Sequence, residues 1–175
     1  MVALALQIGQ EVSYNELSNS LGVNKQTISN YINLLEKSFV IFRLTPFSRN
    51  LRNELKKLRK VYFYDTGIRN ALINNINAFH LRQDVGQLWE NFMISERLKQ
   101  NDNSMNYVNS YFWRTHKQHE IDYIEERGGV LLAFEFKWKP GKFRVPKEFQ
   151  SSYPDCPVKV INLKNYKEFI NIMSI

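Results

Sequence analysis

The sequence predicts an α+β fold (α/β in content), with helices leading and an antiparallel meander following, on three observations. Residues 13–35 place apolar side chains at helical spacing behind capping residues, residues 107–138 alternate as strands do, and residues 86–98 supply a longer amphipathic helix. At 175 residues, 43% hydrophobic and 14% aromatic, the chain is long enough for one core or two small ones.

The first element opens at Ser13-Tyr-Asn-Glu16, which has the form of a capping box: the Ser13 hydroxyl serves the Glu16 amide and the Glu16 carboxylate reaches back. That helix carries Leu17 and stops at Leu21-Gly22-Val23, where Gly22 suits a positive backbone angle. Asn24 then caps a second helix through Ile28, Tyr31, Ile32, Leu34 and Leu35. Two short helices across a glycine turn read as a helix-turn-helix, whose second helix would offer Lys25, Gln26, Thr27, Ser29 and Asn30 to a major groove. Phe39 to Leu44 and Lys60 to Tyr64 are strand-like and would form the hairpin of a winged helix, a unit that also serves as a protein docking module.

Charge points the same way. The net charge is +7, and Arg43, Arg49, Arg52, Lys56, Lys57, Arg59 and Lys60 stand against Glu54 alone, so most of the excess sits in the expected wing. Such a concentration suits a phosphate backbone, an acidic protein or merely a solvated loop.

Gly86 to Leu98 buries Leu88, Trp89, Phe92 and Met93 on one face, with Glu90 at its border and Glu96 near its middle; either glutamate could be buried beside a partner. Strands follow at Tyr107 to Arg114, Glu120 to Glu125 and Val130 to Trp138, the last two joined across Arg127-Gly128-Gly129. Alternation puts Leu132, Phe134, Phe136 and Trp138 on one face of the last strand and Leu131, Ala133, Glu135 and Lys137 on the other. Burying a Glu and a Lys there is costly unless they are paired or hold an ion. With Asp122 they supply two hard oxygen ligands and an ammonium, the set that metal-assisted phosphodiester hydrolysis requires; an exposed salt-bridged strand pair is the other reading. Arg114, near the end of an adjoining strand, is a candidate phosphate contact. His116 and His119, without a cysteine partner, read as a polar turn rather than a transition-metal site.

These residues resemble the C-terminal region of archaeal and bacterial AAA-type ATPases that carry a DUF4143 domain. The resemblance runs through Asn30-Tyr31, Leu34-Leu35-Glu36, Phe39-Val-Ile-Phe-Arg-Leu44, Val61-Tyr-Phe-Tyr-Asp-Thr-Gly67, Trp89-Glu90-Asn91-Phe92, Trp113-Arg114, Glu120-Ile121-Asp122-Tyr123 and Glu135-Phe136-Lys137. It implies a winged helix-turn-helix over residues 1–66, a connector over 67–84 and a PD-(D/E)xK restriction-endonuclease-like domain with a mixed central sheet over 85–175. It also implies catalytic positions at Glu90, Asp122, Glu135 and Lys137, with Mg²⁺ or Mn²⁺ on Asp122, Glu135 and Glu90, and so favours Glu90 over Glu96.

The expected function is therefore a DNA-binding, Mg²⁺-dependent nuclease module, with a catalytically inactive docking scaffold for nucleic acid or protein as the alternative. Lys25, Gln26, Thr27, Asn30, Arg49, Arg52, Lys56, Lys57 and Arg114 are the expected nucleic-acid contacts. The resemblance also implies an ATPase module upstream, whereas the chain itself has no Gly-x-x-x-x-Gly-Lys-Ser/Thr phosphate loop and hence no expected ATP site. The single Cys156, the lack of a leader-like segment and the absence of a bilayer-length apolar run lead to an expected cytoplasmic location without membrane contact.

Overall fold

The computed structural model describes residues 1–47 and 59–170. Among them, seven helices surround a six-stranded mixed sheet of order β2-β1-β3-β4-β5-β6. Three helices come first: α1 (Val2–Leu6), α2 (Tyr14–Leu21) and α3 (Lys25–Lys37). The antiparallel hairpin of β1 (Ile41–Pro46) and β2 (Lys60–Phe63) follows, then α4 (Thr66–Leu72) and the long α5 (Val85–Asn103). The rest is β3 (Asn109–Arg114), β4 (Glu120–Arg127), β5 (Val130–Phe136), α6 (Lys147–Ser152), β6 (Val158–Ile161) and α7 (Tyr166–Phe169).

The caps lie where the sequence puts them. The Ser13 hydroxyl accepts from the Glu16 amide at 3.3 Å, and the Asn24 side chain accepts from the Thr27 amide at 2.7 Å. Gly22 closes α2 in the left-handed region at φ 66°. Only part of the expected α3 stripe is buried: Ile28 and Ile32 face inward, whereas Tyr31 and Leu34 are exposed. Tyr31 lies about 60° and Leu34 about 120° around the helix from Ile28, at and beyond the edge of the buried stripe. Helices α1, α4 and α6 are too short to display a helical period, and the sequence reading left them unassigned.

The hairpin is shared by two cores. Ile41, Val61 and Phe63 pack against the N-terminal helices with Leu4, Leu17, Ile28 and Ile32, while Phe42, Leu44 and Tyr62 join Trp89, Met93 and Ile94 of α5 beneath the sheet. A third cluster on the other sheet face unites Ile121, Ile124, Leu131 and Ala133 with Phe149 of α6. β1 runs parallel to β3 through Thr45↔Tyr111 and Pro46↔Phe112, so the hairpin extends the later sheet rather than projecting as a separate wing.

Strand β2 is an edge, and three of its outward polar groups have partners. The Val61 carbonyl accepts from the Gly9 amide at 3.3 Å, and the Asn91 side chain of α5 both accepts from the Phe63 amide and donates to its carbonyl at 2.7 Å. These bonds pin α5 and the Gly9 segment to one end of β2.

The hairpin's charge differs from expectation. Arg43 turns to Glu36, Asn33 and the Tyr14 hydroxyl, and Lys60 is only 2% exposed, so neither belongs to a solvent-facing basic wing. Arg49, Arg52, Lys56 and Lys57 lie outside the described residues. The expected C-terminal helix is described as α7, Tyr166–Phe169; residues 171–173 of it also fall outside. Among the described residues, no helix is long and apolar enough to cross a membrane.

Candidate metal centre

A break in strand β4 builds the site. Tyr111 pairs with Ile124 but Trp113 pairs with Ile121, so Asp122 and Tyr123 together oppose Phe112 in a β-bulge. The bulge leaves Ile121 and Ile124 in one core and Tyr123 in the other, and it re-aims Asp122. The β4–β5 ladder runs as far as Tyr123↔Phe134, beyond which Asp122 Oδ2 accepts the Phe136 amide at 2.8 Å. A side chain thus does the work of a strand carbonyl, holding the two strands apart around a carboxyl group.

Three carboxylates converge there. Glu90 from α5 and Glu120 and Asp122 from β4 each offer an oxygen within 4.8 Å of the others, with Asp122 the most deeply set. Glu90 Oε1 accepts from the Tyr62 hydroxyl at 2.6 Å and lies 3.3 Å from Lys60 Nζ. Lys60 also pairs with Glu120 and lies over the Phe112 ring at 5.4 Å. Arg114 pairs with Glu120 Oε2 at 3.4 Å and with Glu11 Oε1 at 3.0 Å. Gly9 passes close above: a Cβ there would lie 3.5 Å from Glu90 Oε2, and φ of +70° already favours glycine.

On β5, Glu135 Oε1 accepts from Lys137 Nζ at 2.6 Å. Its other oxygen, Oε2, is buried and takes no hydrogen bond, although the residue is only 4% exposed. An unsatisfied buried carboxylate oxygen costs about 1–3 kcal/mol or more.

The electrostatics follow. Burial, reinforced by Glu90 and Glu135, pushes the Asp122 carboxyl well above the ordinary range, against the pull of Lys60 and the Phe136 amide. Burial also raises Glu135, with Lys137 drawing it back. Burial works against the Lys60 charge, yet Glu90, Glu120 and Asp122 together hold its ammonium above the usual value. An added cation would relieve the carboxylate repulsion. The convergent oxygens of Glu90, Glu120 and Asp122 are hard donors of the kind that could hold a divalent cation, with Glu135 on the neighbouring strand.

Of the residues singled out from sequence, Glu90, Asp122, Glu135 and Lys137 therefore come together from three elements. Glu96 does not: it pairs with Lys99 on the outer side of α5. Arg114 borders the cluster, its guanidinium engaged by Glu11 and Glu120. Lys25, Gln26 and Asn30 are exposed on α3, well apart in sequence and element from the carboxylates, with Thr27 half-buried. His119 Nδ1 lies 3.2 Å from Glu148 at the polar turn.

Sequence reasoning missed Lys60, Tyr62, Glu120 and Glu11. The signal for Glu120 was its i, i+2 relation to Asp122. Lys60 and Tyr62 carried the same signal, two polar groups on one face of an apolar strand.

Residues 1–78 match a domain of unknown function, DUF8612, and residues 85–171 match a second, DUF4143. Uncharacterized proteins of Mycobacterium tuberculosis and Mycobacterium bovis are each 31% identical over 139 residues, covering 77% of this chain and 30% of their own length. An uncharacterized protein of Methanocaldococcus jannaschii is 32% identical over 69 residues, which is 39% of this chain and 14% of that protein. No solved structure gives a significant match. Glu90, Arg114, Glu120, Asp122, Glu135 and Lys137 thus all lie in the segment, residues 85–171, that belongs to the DUF4143 family.

Proposed function

We propose that the chain is a nucleic-acid-processing module whose acidic cluster is a Mg²⁺-dependent phosphodiesterase site of PD-(D/E)xK type. The observation that carries this reading is Glu135 Oε2, buried and unpartnered beside Glu90, Asp122 and Lys137. Glu90, Asp122 and Glu135 would hold the ion. A divalent cation there supplies positive charge opposite a phosphodiester and eases deprotonation of water.

The chain's own groups do the rest. The Phe136 amide fixes one Asp122 oxygen and Tyr62 fixes one Glu90 oxygen, so neither carboxylate has to reorganise. Lys137, with its side chain 43% exposed, reaches the solvent side of Glu135 and is positioned to orient an attacking water. Lys25, Gln26, Thr27 and Asn30, at the start of a helix after a glycine turn, would contact DNA in the manner of a winged helix-turn-helix. The M. tuberculosis relative is matched over only 30% of its length, which leaves room for the AAA-type ATPase module that we place upstream as a partner.

A non-catalytic docking scaffold is the second reading. Its support is apolar: Tyr31 and Leu34 lie one turn apart on α3 and are 62% and 57% exposed, with Phe39 exposed beyond the helix.

Cleavage of labelled single-stranded, duplex and branched DNA with Mg²⁺ or Mn²⁺ tests the proposal. Activity lost in both Glu135→Ala and Lys137→Ala is the expected result. Salt-sensitive DNA binding without cleavage of any substrate, by the chain joined to an ATPase module, would replace it with the scaffold reading.

A further inference from the structure

The second inference rests on the metal reading above and concerns how many ions the site takes. We propose that the Lys60 ammonium stands in the place of a second divalent cation, so that the cluster accepts a single ion. Two-metal phosphodiesterase sites share a carboxylate between ions about 3.5–4 Å apart. Glu90 is placed to be such a shared group, with Oε1 3.3 Å from Lys60 Nζ and a carboxylate oxygen within 4.8 Å of an Asp122 oxygen. Glu120 completes the ammonium's side of the site, while Asp122 and the unpartnered Glu135 Oε2 form the other.

Burying a lysine charge requires compensation, and Lys60 is 2% exposed with its ammonium enclosed by Glu90, Glu120 and the Phe112 ring. An ammonium is a compact point charge with only donors, close to a small hydrated cation in what it asks of carboxylates. Charge balance agrees once the cation displaces the Asp122 proton. Ionised Glu11, Glu90, Glu120, Asp122 and Glu135 against Lys60, Arg114 and Lys137 leave two negative charges, those one divalent ion neutralises. Without Lys60 the deficit becomes three, more than one such ion can offset.

Lys60 comes from the hairpin rather than from the segment that carries Glu90, Glu120, Asp122 and Glu135. The stoichiometry of the site is therefore set by the first half of the chain.

The test counts Mn²⁺ bound per chain from the free-ion electron paramagnetic resonance signal at saturation. One ion is expected for the wild type and for Lys60→Arg, and two for Lys60→Met. A count of one in a folded Lys60→Met overturns the role of Lys60. If Lys60→Met is unfolded without metal, millimolar Mg²⁺ is expected to restore its far-ultraviolet circular dichroism, since the ion replaces the lost charge; failure to refold at any Mg²⁺ concentration also overturns it. No ion in the wild type or in Lys60→Met overturns the metal reading beneath, an outcome distinct from one ion in both.

Discussion

Substituting Glu135 by Gln should make the metal-free protein more stable, the reverse of what a structural salt bridge predicts. Gln keeps an oxygen to accept from Lys137 Nζ, now 2.6 Å away, and places an amide donor at the unpartnered Oε2, in the field of the Glu90 and Glu120 carboxylates. Relief of one buried unsatisfied oxygen contributes about 1–3 kcal/mol. Against this stands the weakened pair with Lys137, whose side chain is 43% exposed and recovers water, a loss of about 0–1 kcal/mol. The net expectation is a gain of about 1–2 kcal/mol, or about 3–6 °C in Tm for a chain of this size. Mg²⁺ at about 100 times its Kd adds about 2.7 kcal/mol to the wild type, so the ranking inverts. Urea unfolding in EDTA and in Mg²⁺ measures both, with an unchanged slope as the control for two-state behaviour. A Glu135→Gln protein that is at least 1 kcal/mol less stable than the wild type in EDTA would refute the reasoning.

Other sites give independent checks. Glu125, 3% exposed, takes Arg97 at 2.7 and 2.9 Å and Asn101 at 2.7 Å, so Arg97→Ala should lose about 3–5 kcal/mol in urea unfolding, and Arg97→Met with Glu125→Leu should recover most of it. Although burial works against its charge, hydrogen bonds from Arg82 and Arg69 hold the Asp84 carboxyl down to about 2. Its contribution of about 1–2 kcal/mol, discounted for partial exposure, is complete above about pH 4 and is lost as pH falls towards 2; an acid titration of stability that is unchanged in Asp84→Asn contradicts this. Gly22→Ala meets no neighbouring atom but must hold φ at 66°, and a loss of about 1 kcal/mol by thermal unfolding is expected from backbone strain alone.

Local chemistry was legible in the sequence wherever neighbouring residues decide it. Ser13, Gly22 and Asn24 set the ends of α2 and α3, and the period-two pattern of β5 placed Glu135 and Lys137 on one face and Phe134 and Phe136 on the other. Long-range pairing was not legible. Nothing near Lys60 announces that its charge meets Glu90 and Glu120, 30 and 60 residues away, so it read as one more cation of a basic wing. The bulge at Asp122 was hidden for a similar reason: it exists only as a register difference between β3 and β4. Tyr31 and Leu34 fit the helical period yet stay exposed among the described residues, because period alone does not say how wide a stripe the rest of the fold covers.

The double-faced hairpin ties the two family segments into one folding unit. Phe42, Leu44 and Tyr62 fill the core of the later sheet while Ile41, Val61 and Phe63 fill that of the early helices, so each half completes the other's interior. A gene fragment encoding residues 85–171 alone would lose a wall of its core together with Lys60, Tyr62 and Glu11. The two segments are thus expected to unfold in one transition, the hairpin coupling the stability of each to that of the other.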